Sequence, residues 1–128
     1  MQAIKIDAVN QQIYPVDIDG SLESIYEQLD CELFTCPVVL DNLDTLYIDD
    51  EGLLIDDDQY KGAFYFKNFS QPLFGHGLII GTTEEGENAN VLSDIKSIEK
   101  KVKFIPEETG RHLLDDLRGN LGFKIYTF

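Results

Sequence analysis

The stretch SLESIYEQL, residues 21–29, is the strongest secondary-structure signal in this chain. Its apolar residues recur at intervals of three and four, which is the period of one face of a helix. Ser21 can accept a hydrogen bond in the first helical turn, and Asp19 just before it could do the same. The stretch therefore predicts a short helix with an apolar stripe facing inward. Another side of this helix carries the acids Glu23, Glu27 and Asp30.

Short apolar and alternating segments around this helix indicate β-strands. Residues 3–7 alternate apolar and polar side chains, as a half-buried strand does. Residues 13–18 can return beside them, where Pro15, which lacks a backbone N–H, either puts the strand at a sheet edge or breaks it. Further strand candidates follow at residues 32–40, which Pro37 is expected to interrupt, and at residues 46–48, 53–55, 62–66, 77–81 and 122–128.

Later segments complete the prediction of the fold. Ser93 can cap a helix at residues 94–101, and Gly119 can end another at residues 107–118. Residues 49–52 (DDEG) are expected to form a hairpin turn in which Gly52 supplies a positive φ. Strands and helices mixed in this way predict an α+β fold. We expect a mostly antiparallel sheet with about three helices packed on one side, in a single domain at residues 1–128.

The charge of this chain is confined to its first half. Residues 1–60 hold fifteen carboxylates against one base, Lys5, whereas residues 61–128 hold nine acids and nine bases. The formal net charge of −14 therefore comes from the first half alone. Such a charge argues against direct binding to nucleic acid or to an anionic membrane, because both need a basic surface. It favours a partner with a basic surface.

Two acidic runs in this half are candidates for a site. They consist of Asp49, Asp50 and Glu51, and of Asp56, Asp57 and Asp58. An EF-hand does not fit, because Gly52 at its sixth position would place Tyr47 at the first, where an Asp is needed. Acid–base catalysis, a solvated hairpin edge and mimicry of a phosphate backbone stay open. For mimicry, alternate carboxylates of a strand lie ~6.6 Å apart on one face.

The cysteines and histidines do not suggest a metal site. Cys31 and Cys36 have a spacing that is not a redox motif, and no second pair completes a zinc site. We expect two buried, reduced thiols. His76 lies between two glycines without a nucleophile in a recognised motif, so we expect it in a turn or the core. We therefore predict no catalytic residue, metal or cofactor.

Two segments resemble a known but uncharacterised family. They are LYIDDEGLLI at residues 46–55 and GLIIGTTEEG at residues 77–86, and the resemblance covers roughly residues 3–105. This family is a small acidic domain of unknown function that is common in bacteriophages and plasmids. The sequence departs from its pattern at residues 56–58, where three aspartates stand instead of a segment containing Pro or Asn. The resemblance implies a mobile-element setting, in which small acidic proteins often inhibit host defence proteins.

These observations favour a non-enzymatic acidic binding protein that docks onto a basic protein surface. We expect an inhibitor or nucleic-acid mimic directed at defence or DNA-binding proteins of a bacterial host, located in the host cytoplasm because no leader or membrane span is evident. A calcium- or magnesium-binding module or metal-dependent enzyme that uses residues 49–58 is one alternative, and a structural or assembly component is another. The oligomeric state stays open. The expected contact residues are Asp49, Asp50, Glu51, Asp56, Asp57, Asp58, Glu23, Glu27 and Asp30.

Overall fold

Strands dominate the part of the chain that the structure describes. The computed structural model describes residues 1–52, 54 and 57–120. Its strands are β1 (Gln2–Asp7), β2 (Gln12–Asp17), β3 (Phe34–Val39), β4 (Thr45–Asp49), β5 (Ala63–Phe66), β6 (Leu73–Phe74), β7 (Gly77–Thr82), β8 (Asn88–Ala89) and β9 (Val102–Phe104). Its α-helices are α1 (Leu22–Leu29), α2 (Ile95–Glu99) and α3 (Glu107–Asn120), with a short 3₁₀ turn at Asp57–Gln59.

The strands form two open antiparallel sheets. The large sheet has the order β2-β1-β7-β4-β3, and β8 pairs with the end of β7. The small sheet has the order β6-β5-β9. In the large sheet Ile79 lies opposite Ile4 on one side and Leu46 on the other. These pairings confirm the predicted α+β class with mostly antiparallel strands.

The main core lies between the two sheets. Ile4, Ile6 and Ile79 of the large sheet contact Phe64 and Phe66 of the small sheet, and all five are almost fully buried. The opposite face of the large sheet presents Leu78 and Ile80 to α1. Because β7 is buried on both faces, its run of apolar residues is continuous rather than alternating.

The helices do not share one side of a sheet, which corrects the sequence prediction. Ile25 of α1 packs on one face of the large sheet, whereas Ile98 of α2 belongs to the core on its other face. Leu114 of α3 packs on the outer face of the small sheet, against Ala63 and Phe74. The reason is that two sheets have four faces: two meet in the core, and each outer face needs its own cover.

Prolines occupy both edge strands of the large sheet. Pro15 lies in β2 and Pro37 lies in β3, where the pairing with β4 shifts register between Thr35 and Val38. The edge position predicted for residues 13–18 and the interruption predicted at Pro37 are both confirmed. A proline cannot donate a hydrogen bond to an added strand, so both edges are protected against pairing with another chain.

The predicted hairpin of residues 46–48 and 53–55 is wrong. β4 pairs with β3 on one side and with β7 on the other, so neither of its edges is open to a further strand. Residues 53 and 55 lie outside the described residues. Gly52 does not adopt a positive φ. A glycine is required there for another reason, since an added Cβ would lie 2.7 Å from the backbone oxygen of Phe74.

Two predicted caps also need correction. Asp94 caps α2 in place of Ser93, because its side chain accepts a hydrogen bond from the backbone N of Ser97. Gly119 lies inside α3 rather than at its end. The strand predicted at residues 122–128 lies outside the described residues.

Candidate functional site

Helix α1 presents an acidic side to solvent, as the sequence predicted. Ser21 caps the helix by accepting a hydrogen bond from the backbone N of Ser24 at 3.1 Å. Ile25 and Leu29 are buried against the large sheet, but Leu22 is 59% exposed, so the apolar stripe is shorter than expected. The acids Glu23, Glu27 and Asp30 are all exposed.

More carboxylates extend this acidic side at both ends of the helix. Asp19 lies just before α1 and accepts a hydrogen bond from the backbone N of Ser21 at 2.8 Å. Beyond the other end, the backbone N of Asp50 donates to Leu33 at 3.0 Å, which holds the turn after β4 beside the end of α1. We name this surface the acidic face. It consists of Asp19, Glu23, Glu27, Asp30, Glu32, Asp49, Asp50 and Glu51.

A cavity of about 370 Å³ lies within the acidic face. It is lined by the acids Asp30, Glu32, Asp49 and Glu51 and by Cys31, Gln59 and Lys61. The Nζ atom of Lys61 lies 2.6 Å from the backbone oxygen of Asp30 and 3.2 Å from its carboxylate. This part of the acidic face therefore already holds one ammonium group. Sequence reasoning missed Glu32 and Lys61, because only the chain path brings them beside the turn.

The second acidic run is less well defined. Asp58 is exposed at the 3₁₀ turn that precedes Lys61. Asp56 and the side chain of Asp57 lie outside the described residues. The run at residues 49–51 therefore meets α1 in the structure, whereas the run at residues 56–58 stays a prediction.

Not every acid of the first half contributes to the acidic face. Asp7 and Asp44 are buried, at 6% and 0% exposure. Burial alone would raise the pKa of Asp7, but hydrogen bonds from Asn10 together with nearby positive charge lower it. Asp41 is exposed but lines a different cavity, beside Lys67. Many acids of the first half thus lie on the acidic face, but some are buried or lie elsewhere.

His76 makes a structural contact, in keeping with the prediction of a turn or core histidine. Its Nδ1 atom accepts a hydrogen bond from the backbone N of Ala8 at 3.2 Å and lies 3.7 Å from the carboxylate of Asp7. Burial lowers the pKa of His76, and the nearby charge of Lys5 lowers it further. The ring is therefore neutral near pH 7, with the proton on Nε2.

The two cysteines are free thiols in different surroundings. Cys31 is half-buried, and burial together with Asp49 raises the pKa of its thiol to about 11. Cys36 is exposed on β3, contrary to the expectation of two buried thiols. A thiol with so high a pKa is a poor nucleophile near neutral pH. Among residues 1–52, 54 and 57–120, no group of three His, Cys, Asp or Glu residues could hold a metal ion.

Lysines collect on the other side of the large sheet. Lys96 lies in α2, and Lys100 follows it. Lys103 lies in β9, Lys101 precedes it, and Lys67 follows β5. These elements contribute Ile98, Val102 and Phe104 to the core that lies opposite α1. Most lysines are therefore separated from the acids of α1 by the large sheet, although α2 and α3 carry acids of their own on the lysine side.

Comparisons with known proteins place the chain in a family of unknown function. None of the helices in the described part of the chain combines the length and apolar composition needed to cross a bilayer. A search of the curated proteins and a search of the solved structures both found no match. The family model described as "Domain of unknown function (DUF3846)" matches residues 1–103, which include every strand of the large sheet together with α1 and α2. The chain therefore belongs to the DUF3846 family of domains of unknown function.

Proposed function

We propose that this protein is a non-enzymatic binding protein whose acidic face docks onto the basic surface of a partner protein. The partner would be a defence or DNA-binding protein of a bacterial host, and the protein would be a phage- or plasmid-encoded inhibitor or nucleic-acid mimic of it. One observation carries the proposal: carboxylates from α1 and from the turn after β4 meet on one face, while most lysines lie beyond the large sheet.

The spacing of the carboxylates on α1 supports the mimicry part of this proposal. Glu23 and Glu27 are one helical turn apart, a rise of ~6 Å along the axis. Both acids of α1 and its C-cap residue Asp30 are exposed, and α1 spans eight residues. A basic groove that binds a nucleic-acid backbone would meet negative charges at a comparable interval and release bound counterions. Complementary charge would speed the encounter and set the register of the complex.

The cavity at the end of α1 supports a contact with a lysine or arginine of the partner. Lys61 bonds only to Asp30 among the carboxylates of this cavity. Glu32, Asp49 and Glu51 make no ion pair with a described residue. An incoming cation would therefore find three carboxylates that have no cationic partner within the described chain.

Capture from bacterial lysate tests the proposed function. The immobilised protein should retain a basic protein at low salt (about 50 mM) and release it at high salt (about 500 mM), because exposed charges are screened within a few ångströms at high ionic strength. Duplex DNA should displace a partner whose nucleic-acid groove is occupied. Retention that does not depend on salt, or that DNA leaves unchanged, would exclude the mimic.

A matched pair of variants localises the contact. The triple variant E23Q/E27Q/D30N neutralises the exposed acids of α1 and its C-cap, and Asn tolerates the left-handed conformation that Asp30 adopts (φ 53). The control E84Q/E85Q/E87Q neutralises three exposed acids of the loop between β7 and β8. Both variants change the net charge equally. Only the α1 variant should lose the captured partner.

A further inference from the structure

A second cavity lies on the side of the large sheet that faces α2. It measures about 420 Å³ and forms where the end of β3, the residue after β5 and the start of α2 meet. Val38, Val39 and Leu40 give it an apolar wall. The polar residues around it are Lys67, Lys101, Asn42, Asn68, Ser93, Ser97 and the acid Asp41. The amide of Asn42 already donates to Asp44 and Ser93, and the hydroxyl of Ser97 donates to the backbone oxygen of Asp94. The two lysines, Asn68 and Ser93 supply the remaining donors.

Two lysines of this cavity are direct neighbours. The backbone N of Lys67 donates to the backbone oxygen of Lys101 at 2.8 Å, which continues the pairing of β5 with β9 by one residue. Like charges at opposed positions of a strand pair destabilise it. Neither lysine makes an ion pair with any residue that the structure describes. In a chain of net charge −14, two adjacent cations without a carboxylate partner point to an anion that binds between them.

The wall beside the lysines is held in place before any ligand arrives. The buried carboxylate of Asp44 accepts hydrogen bonds from the backbone N of Leu92 at 3.0 Å and of Ser93 at 2.8 Å. The hydroxyl of Ser93 accepts from the side chain of Asn42 at 3.1 Å, and it donates to no group of the described chain. A fixed hydroxyl with a free proton is a suitable donor to an anionic oxygen, and pre-organisation lowers the cost of binding.

We infer that this cavity binds the phosphate group of a small phosphate monoester. A phosphate monoester carries a charge of about −1.5 to −2 at neutral pH, which two lysines can balance. The apolar wall of Val38 and Val39 fits an apolar or aromatic substituent, and the volume lies in the range of about 300–1,000 Å³ that small-molecule sites occupy. A nucleic acid is excluded because its many phosphates would meet the net charge of −14.

Titration with phenyl phosphate, followed by the amide NMR signals, tests this inference. We expect saturable shifts of the Asn42, Asn68 and Ser93 signals below about 10 mM, with affinity at least about tenfold weaker in K67Q/K101Q, since bonds to charged groups contribute that much. The control K96Q/K100Q removes two exposed lysines that lie outside the cavity and should bind as the wild type does. Asp41, an exposed acid of the lining, opposes an anion, so D41N should tighten binding about twofold to fivefold.

Three results would overturn the inference. The first is the absence of saturable shifts, and the second is shifts that avoid the cavity. The third is an equal loss of affinity in K67Q/K101Q and K96Q/K100Q, which would mean that phosphate responds only to overall charge. A thermal melt of each variant without ligand confirms that the compared proteins are folded.

Discussion

The side chain of Asp44, which is fully buried, accepts a hydrogen bond from the backbone N of Ser93 at 2.8 Å. The same carboxylate accepts from the backbone N of Leu92 at 3.0 Å and from the side chain of Asn42 at 3.3 Å. It thereby joins the turn before β4 to the segment before α2, which are 49 residues apart. One acid of the charged half thus holds the fold together rather than meeting a partner.

We therefore predict that Asp44→Asn destabilises the protein. The amide removes the negative charge and turns one acceptor into a donor that faces backbone N–H groups. Hydrogen bonds to charged groups contribute about 1.5–3 kcal/mol, so the free energy of unfolding should fall by about that amount. Urea unfolding measures it, with Asp41→Asn in the same turn as an exposed control that should change little. Equal effects of the two variants would show that Asp44 has no special role.

Tyr60 and Gly110 depend on each other across the contact between α3 and the small sheet. The hydroxyl of Tyr60 is buried and has no hydrogen-bond partner among the described residues, and a Cβ added at Gly110 would lie 1.8 Å from it. The guanidinium of Arg111 covers the Tyr60 ring, with 4.7 Å from its carbon to the ring centroid. The ring therefore has little room to move aside.

Gly110→Ala should consequently destabilise the protein by about 1–3 kcal/mol, although alanine favours a helix over glycine by about 1 kcal/mol. Tyr60→Phe removes an unpartnered hydroxyl and should be neutral or stabilising. In the double variant the two effects should not add, because the clash with the hydroxyl is relieved. Additive changes in a thermal or urea unfolding cycle would contradict this close contact.

His76 should make the stability of the protein fall as the pH drops below about 6.5. Its pKa is lower in the folded protein than the ordinary value of 6.5, mainly because of burial. The stability it contributes is therefore present above pH 6.5 and is lost as the pH falls, since the unfolded chain takes up the proton first. Protonation of Nδ1 would also remove the acceptor of the hydrogen bond from the backbone N of Ala8, because Nδ1 would then be a donor itself.

The free energy of unfolding should decline as the pH is lowered from 7.5 to 5.5. His76→Gln should make this decline less steep, by at most about 1.4 kcal/mol per pH unit. His112→Gln serves as the control, because the side chain of His112 is 79% exposed. An unchanged pH dependence in His76→Gln would mean that the histidine titrates alike in the folded and unfolded chains.

The sequence predicted the elements better than their arrangement. The period of residues 21–29 and the alternation of residues 3–7 are local signals, and both elements formed as expected. The hairpin at residues 46–55 failed because the apolar run of β7 competes for the same edge of β4, and pairing partners far apart in sequence leave no local signal. For the same reason the sequence did not reveal that two sheets, each with its own helices, share the core.

The candidate site was also only partly visible in the sequence. The acidic stripe of α1 follows from helical spacing alone, so Glu23, Glu27 and Asp30 were found in advance. The cavity beside them depends on the hydrogen bond from Asp50 to Leu33, which is a tertiary contact. Counting acids likewise could not separate Asp44, which is buried, from the acids that reach solvent.

The most direct test of the acidic face is a titration with a decalysine peptide, followed by the amide NMR signals at low salt (about 20 mM) and at high salt (about 300 mM). We predict shifts that concentrate at α1, Glu32 and residues 49–51, and that weaken strongly at high salt. The α1 variant E23Q/E27Q/D30N should bind about threefold to a hundredfold more weakly, from about 0.2–1 kcal/mol for each charge, whereas E84Q/E85Q/E87Q should lose much less. Shifts spread evenly over all exposed acids, or equal losses in the two variants, would contradict a dedicated acidic binding face.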